Sequence, residues 1–374
     1  MLDPRITQLA ELLVHHSMKV EASNRVLVEA IDVPQEFTCE VIRLVREAGG
    51  YPFVNLRNST VNRTLIEHGT KEYWEEVAAF ERGVMERMDC YIGARGSNNV
   101  SEMSGLPVEK QRLYEQTIWT KVHKEVRVPS TRWVILRWPT PAMAQLAEMS
   151  TRAFEDFFFS VCTLDYPKMS RAMEPLVKLM EKTSEVRLLG PGRTDLTFSI
   201  EGIPTIPCYG LRNIPDGEVF TAPVRDSING IIAFNTPTLY RGETHTDVTL
   251  RFERGKVVEA TSSQTDKLNE VLDSDEGARY VGEFAIGCNP HCVRPMKDIL
   301  FDEKMAGSIH LTPGSCYKEA SNGNTSSIHW DLVLRQTPEV GGGEMYFDGV
   351  LVRKDGRFVL EELFGLNPES LLGR

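Results

Sequence analysis

At Gly190-Pro191-Gly192 the chain changes texture, and that change limits the fold more than any other feature of the sequence. Before it, short apolar runs alternate with amphipathic stretches. Arg25–Ile31, Tyr51–Leu56, Asp89–Ile92 and Arg132–Arg137 read as strands. Asp3–Met18, the stretch from Pro34 to Gly49-Gly50, Thr70–Met88, Val108–Val126, Thr140–Phe159 and Tyr166–Lys182 read as helices, and Val186–Leu189 closes the series. Strand–helix alternation over this length predicts a parallel sheet with helices on both faces. No GxGxxG or Walker loop accompanies it, so the sheet is not announced as a nucleotide binder.

After residue 190 the runs are short and β-type: Leu196–Ile200, Glu218–Thr221, Ile231–Phe234, Val248–Phe252 and Val257–Thr261, separated by Gly, Pro, Asn and Asp. Only Gln264–Leu272, continuing toward Ala278, reads as a helix. Asp348-Gly349 between Tyr346-Phe347 and Val350–Val352 is a hairpin signal, and Asp355-Gly356 marks a further turn. A chain of 374 residues has room for two cores. The expected fold is α/β: residues 1–190 form an α/β domain with a mostly parallel sheet, and 191–374 form a β-rich α+β catalytic domain.

The formal net charge of −11 argues against nucleic acid and an anionic membrane as partners. It suits a small polar or cationic substrate. No stretch has the length and apolarity of a membrane span, and Met1–Ile6 lacks the apolar core of a signal peptide. Seven scattered cysteines include no CxxC pair, which predicts free thiols in a reducing cytoplasm.

Chemistry concentrates between Glu283 and Asp331. In a strand, residues two apart share a face, so His329 and Asp331 can grip one ion together. An isolated pair of this kind would more often be an exposed polar face. His310 stands at a strand-to-turn junction, where a lone histidine would be structural. Glu283 interrupts the apolar run Tyr280–Ile286, and a buried carboxylate needs a cation or hydrogen bonds. Glu218 sits where a turn enters a strand. With Glu303 and Tyr317 the set comprises three Glu, two His, one Asp and a Tyr. Mixed carboxylate and imidazole donors suit zinc, manganese or cobalt. Their number exceeds what one catalytic zinc uses, and a two-ion site with a bridging carboxylate accommodates the surplus.

Four segments, Asn213–Pro223, Gly282–Asn289, Asp302–Tyr317 and Ser326–Asp331, resemble the M29 family of metal-dependent aminopeptidases. The likeness extends more loosely over nearly the whole chain. It implies a homodimeric enzyme with an N-terminal α/β domain and a C-terminal catalytic domain. Such an enzyme removes N-terminal residues from peptides with two divalent ions: zinc, or cobalt, manganese or magnesium in its place. By motif, Glu218, Glu283, His310, His329 and Asp331 fall on metal-ligand positions, and Tyr317 on the active-site tyrosine. Glu303 lies in the acidic segment before His310, spaced differently from some members, and joins the metal set. Glu283, the most central carboxylate, is expected to bridge the ions. Tyr317 is expected either to ligate a metal or to hydrogen-bond the oxyanion. His-Leu-Thr-Pro-Gly at 310–314 departs from the family's commoner motif beside the site.

The rival reading is a non-haem iron dioxygenase on the same scaffold, using His310, His329 and Asp331 as a two-histidine, one-carboxylate set. Glu218 and Glu283 would be redundant there. His245 reads as a solvated strand residue, and the remaining histidines as structural.

Overall fold

The computed structural model describes residues 3–374. The chain divides into two compact units, Met1–Thr163 with Gly210–Ile214, and Leu164–Tyr209 with Pro215–Arg374.

In the first unit β1 (Arg25–Ile31), β2 (Tyr51–Arg57), β3 (Cys90–Arg95) and β4 (Arg132–Arg137) lie in the order β2-β1-β3-β4. The short strand Asn213–Ile214 adds an edge beyond β4, and every pairing is parallel. Val26, Val28, Ile92 and Val134 are fully buried, as strands covered on both faces require. β2 and β3 flank β1, so the direction of the crossovers reverses between β1 and β3.

The expected helices form with small shifts, and two differences have local causes. The single helix expected over Thr140–Phe159 is two, Pro141–Leu146 and Thr151–Cys162. Thr140 and Ser150 each cap one of them, their hydroxyls accepting from Met143 N and Ala153 N. A helix at Ser59–His68 was not read from the sequence; Asn58 starts it by accepting from Thr60 N and Val61 N.

The second unit is antiparallel. β5 (Glu185–Gly190) and β6 (Thr194–Ser199) form a hairpin across Gly190-Pro191-Gly192, with Thr194 N bonding Pro191 O at 3.2 Å. The Val186–Leu189 run therefore does not close the parallel series, and the expected break after residue 190 lies within this unit. After β7 (Ile206–Cys208) and the edge strand β8 (Asn213–Ile214) come β9 (Glu218–Thr221) and β10 (Asn229–Ala233). A hairpin of β11 (Thr238–Tyr240) and β12 (Glu243–His245) follows, then β13 (Thr249–Glu253), β14 (Lys256–Thr261), β15 (Val281–Gly287), β16 (Ser308–Pro313) and β17 (Leu332–Arg335). β18 (Glu344–Phe347), β19 (Val350–Lys354) and β20 (Arg357–Phe358) end the set. One sheet runs β14-β13-β10-β6-β5-β18-β19-β20, the other β17-β16-β15-β9-β7. Buried Phe198 of β6 meets Phe284 of β15 edge-on at 5.0 Å, joining the two sheets in a common core. The β18–β19 turn is Asp348-Gly349 with φ of 47° and 78°, the left-handed pair a two-residue hairpin demands.

Candidate metal centre

The sheet β17-β16-β15-β9-β7 brings Glu218, Glu283 and His310 together on one face. In its ladder Glu283 lies opposite Thr312, Ala285 opposite His310, and Gly287 opposite Glu218. Residues directly opposite in an antiparallel pair share a face. Ala285 and Gly287 are small, which leaves room for the longer acidic and imidazole groups beside them. Asp331 immediately precedes β17 and accepts from Thr312 Oγ1 at 2.6 Å. His329 is held through an isolated bridge to Gly314. Glu303 caps the short helix Ile299–Asp302.

Glu283 stands in the middle. Its Oε1 lies 3.4 Å from His310 Nε2, and its Oε2 lies 3.3 Å from His329 Nε2. His310 Nε2 is also 3.7 Å from Glu218 Oε2, and His329 Nε2 is 3.4 Å from Asp331 Oδ1. Donor groupings of Glu218, Glu283 and His310, of Glu283, His329 and Asp331, and of Glu303, His310 and Asp331 each fit within 4.8 Å. The imidazole–carboxylate separations of 3.3–3.7 Å lie at or beyond the long end of hydrogen bonding. Two ligands about 2.1 Å from one ion at a tetrahedral angle stand about 3.4 Å apart. The donor set and its spacing fit divalent ions. Glu218 Oε2 is buried with no hydrogen-bond donor, as an oxygen reserved for a cation would be.

His329 Nδ1 lies 2.8 Å from the Ser315 carbonyl, to which it can only donate. That bond fixes the ring and leaves Nε2 as the nitrogen available for coordination. Tyr317 packs edge-on against His329 at 4.9 Å and at a tilt against Phe220 at 5.6 Å. The residue as a whole is about half exposed (48%). Burial, and then the nearby negative charge of Glu283, Asp331 and Glu303, hold the phenol well above its usual range.

Without ions, protons and one lysine balance the acids. Burial opposes charge on His310, but the Glu283 hydrogen bond and nearby carboxylates outweigh it and lift the imidazole to about 9. His329 rises against burial to about 10, chiefly through Asp331 and Glu283. The two imidazoles hold Glu283 down to about 2 despite its burial. Burial pushes Glu303 up to about 8, with Lys304 opposing the rise.

Sequence reasoning missed Lys304. It is 1% exposed, with Nζ 2.6 Å from Glu218 Oε1, 2.7 Å from Glu303 Oε1 and 3.6 Å from Asp216 Oδ1. The available signal was a lysine directly after Glu303 in a segment that otherwise turns inward. Cys208 and Asp216, grouped with Glu218, were also missed. His245, expected on a solvated face, is 1% exposed and packs edge-on against Trp330 at 5.0 Å.

The profile of the thermophilic metalloprotease (M29) family matches residues 2–358. Aminopeptidase T of Thermus thermophilus is 34% identical over 401 aligned residues, covering 92% of this chain and 94% of its own. Aminopeptidase AmpS of Bacillus subtilis is 30% identical over 153 residues, 37% of each chain. Among solved structures, wild-type AmpT from Thermus thermophilus aligns with a TM-score of 0.80 at 22% identity, covering 96% of this chain and 99% of its own. The 2,5-dihydroxypyridine dioxygenase from Pseudomonas putida KT2440 aligns with 0.62 at 15% identity, covering 97% and 99%. Both structures share the fold.

Proposed function

The chain belongs to the thermophilic metalloprotease family M29, and from that premise we propose that it is a metallo-aminopeptidase working with two divalent ions, zinc first among them. Glu218, Glu283, Glu303, His310, His329 and Asp331 would hold the ions, with Glu283 between them. The observation that carries this reading is the split allegiance of Glu283: each oxygen faces a different imidazole, and each imidazole faces a second carboxylate. One set of donors around one ion would not need that arrangement.

Bound ions supply Lewis acidity, which activates a water and polarises the scissile carbonyl. The protein's own groups do the positioning. The Ser315 carbonyl holds the His329 ring in plane, and Lys304 holds Glu218 and Glu303 by their Oε1 atoms. Tyr317, packed against His329, would donate to the tetrahedral oxyanion or join the ligands. The substrate's free α-amine is held at this centre, confining cleavage to the first residue. A dioxygenase using His310, His329 and Asp331 leaves Glu218 and Glu283 without a role.

The test compares free and N-acetylated peptides, with metal counted in parallel. Free peptides should be shortened from the amino end, chelator should stop turnover, and divalent ions should restore it. Glu283→Ala should lose at least one ion by elemental analysis. Equal cleavage of acetylated peptides, or full metal and normal turnover in Glu283→Ala, rejects the reading.

A homodimer is part of the proposal. Tyr51, Phe53 and Leu56 on the edge strand β2 are 49%, 45% and 64% exposed, an apolar edge that pairing would cover. A monomer mass at micromolar concentration in sedimentation would remove it. All seven cysteines are free thiols, which favours a reducing cytoplasm. No helix among the described residues is long and apolar enough to cross a membrane.

A further inference from the structure

We propose that the first unit carries a second binding site, for a small ligand with an oxyanion head, at the carboxyl ends of its parallel strands. A cavity of about 420 Å³ opens there. Glu29 of β1, Arg57 of β2, Arg95 of β3 and Arg137 of β4 all line it, each at or near the end of its strand. Open α/β sheets bind ligands in this crevice, where the strand order reverses. The volume is that of a small-molecule site.

The charges around the cavity are unevenly matched. Arg57 is taken by Glu29 at 3.3 Å and Glu81 at 2.6 Å, and Glu29 also accepts from Tyr91 Oη at 2.8 Å. Arg95 has no carboxylate within ion-pair distance among the described residues, and its Nε is buried without an acceptor. Behind it Arg127, 2% exposed, donates from Nε to His123 Nδ1 at 3.0 Å, and its Nη1 has no acceptor. A guanidinium is always a donor, so His123 must carry its proton on Nε2. His123 also lines the cavity. Donors therefore converge on a space whose acids are already engaged, apart from Glu115 on an exposed helical turn at its rim. A planar guanidinium with a spare Nε–H is matched by a carboxylate, phosphate or sulfonate oxygen. Ile66 and Leu106 give the cavity an apolar wall, which fits a ligand with an apolar body.

The test is titration calorimetry on the metal-loaded full chain with benzenesulfonate and inorganic sulfate, oxyanions that coordinate divalent ions poorly. Saturable one-to-one binding is expected, tighter for benzenesulfonate. Arg95→Gln should weaken it about tenfold or more. Met103→Trp, at the partly exposed mouth, should weaken it as well, and decides the matter if the arginine variant does not fold. Glu283→Ala should bind as the parent does, so a failed peptidase reading leaves this result standing. No saturable binding, binding that both cavity variants leave intact, or binding abolished by Glu283→Ala overturns the site.

Discussion

A buried ammonium among acids decides how the candidate metal centre holds together without ions. Lys304, buried with Glu218 and Asp216, touches Glu218 and the partly buried Glu303 and approaches Asp216. Removing one partner of a buried ion pair leaves an uncompensated charge and costs about 3–5 kcal/mol. Lys304→Met should therefore destabilise the chelator-treated protein by that amount in urea titrations, and a loss below about 1 kcal/mol would contradict the role. The imidazoles supply the remaining positive charge. His310 at about 9 and His329 at about 10 both lie above the unfolded value of about 6.5. Their contribution to the ion-free fold is thus complete below about pH 6.5 and lost as pH rises through 9 and 10. Incoming ions must displace those protons. Metal affinity should rise with pH across the neutral range, and loading at neutral pH should release about three protons, from His310, His329 and Glu303. Calorimetry in buffers of different ionisation enthalpy measures this, and zero release would count against His310 and His329 as ligands.

At the scale of elements, the centre depends on how the segment carrying His329 is tied to β16. Gly314 follows β16 at φ +113°, and a Cβ there would lie 2.1 Å from the Ile328 carbonyl oxygen. Ser315 N bonds that same oxygen at 2.8 Å, while the Ser315 carbonyl receives His329. Gly314→Ala should cost about 3 kcal/mol or more and loosen an ion. Gly349, at φ +78° in the β18–β19 turn, meets nothing within 4 Å, and Gly349→Ala should cost only about 1 kcal/mol. Thermal melts and metal counts on both variants test the contrast; equal losses would mean that the tie is not special. The turn at Asp348-Gly349 was legible because its chemistry is local. So was the parallel core, since Val26 to Ala30 and Cys90 to Ala94 are buried on both faces and read as apolar runs. The Val186–Leu189 strand was assigned to the wrong series because an apolar run of that length does not reveal its partner, and β18, which pairs with it, lies some 160 residues on. The acidic and imidazole groups were found by motif, and the strand pairings explain how they meet. Lys304 escaped because a lysine in sequence reads as solvated, and only three acids folded around it make its burial tolerable.

Over the whole molecule, buried groups pull the pH dependence of stability in opposite directions. Burial holds Asp302 and Glu303 as neutral acids up to about 8, while in the unfolded chain both ionise near 4. The native state therefore binds more protons between those values, and these groups favour the fold as pH falls. His123 works the other way. Burial first, then Arg127, lowers its imidazole to about 4, so the folded protein keeps it neutral while the unfolded chain takes up a proton below about 6.5. Its contribution is present above about pH 6.5 and is lost as pH falls toward 4, amounting to about 2–3 kcal/mol. In the ion-free protein the single His123 offsets part of what the two acids contribute between pH 4 and 6.5. His123→Gln keeps an acceptor for Arg127 Nε and removes the titration. Relative to the parent, this variant should gain stability steadily from pH 6.5 to 4 by the same 2–3 kcal/mol, read from urea midpoints at fixed ionic strength. Parallel pH slopes for parent and variant would show that the neutral imidazole is not what the first unit holds, and would also remove the fixed Nε2 donor from the cavity at its strand ends.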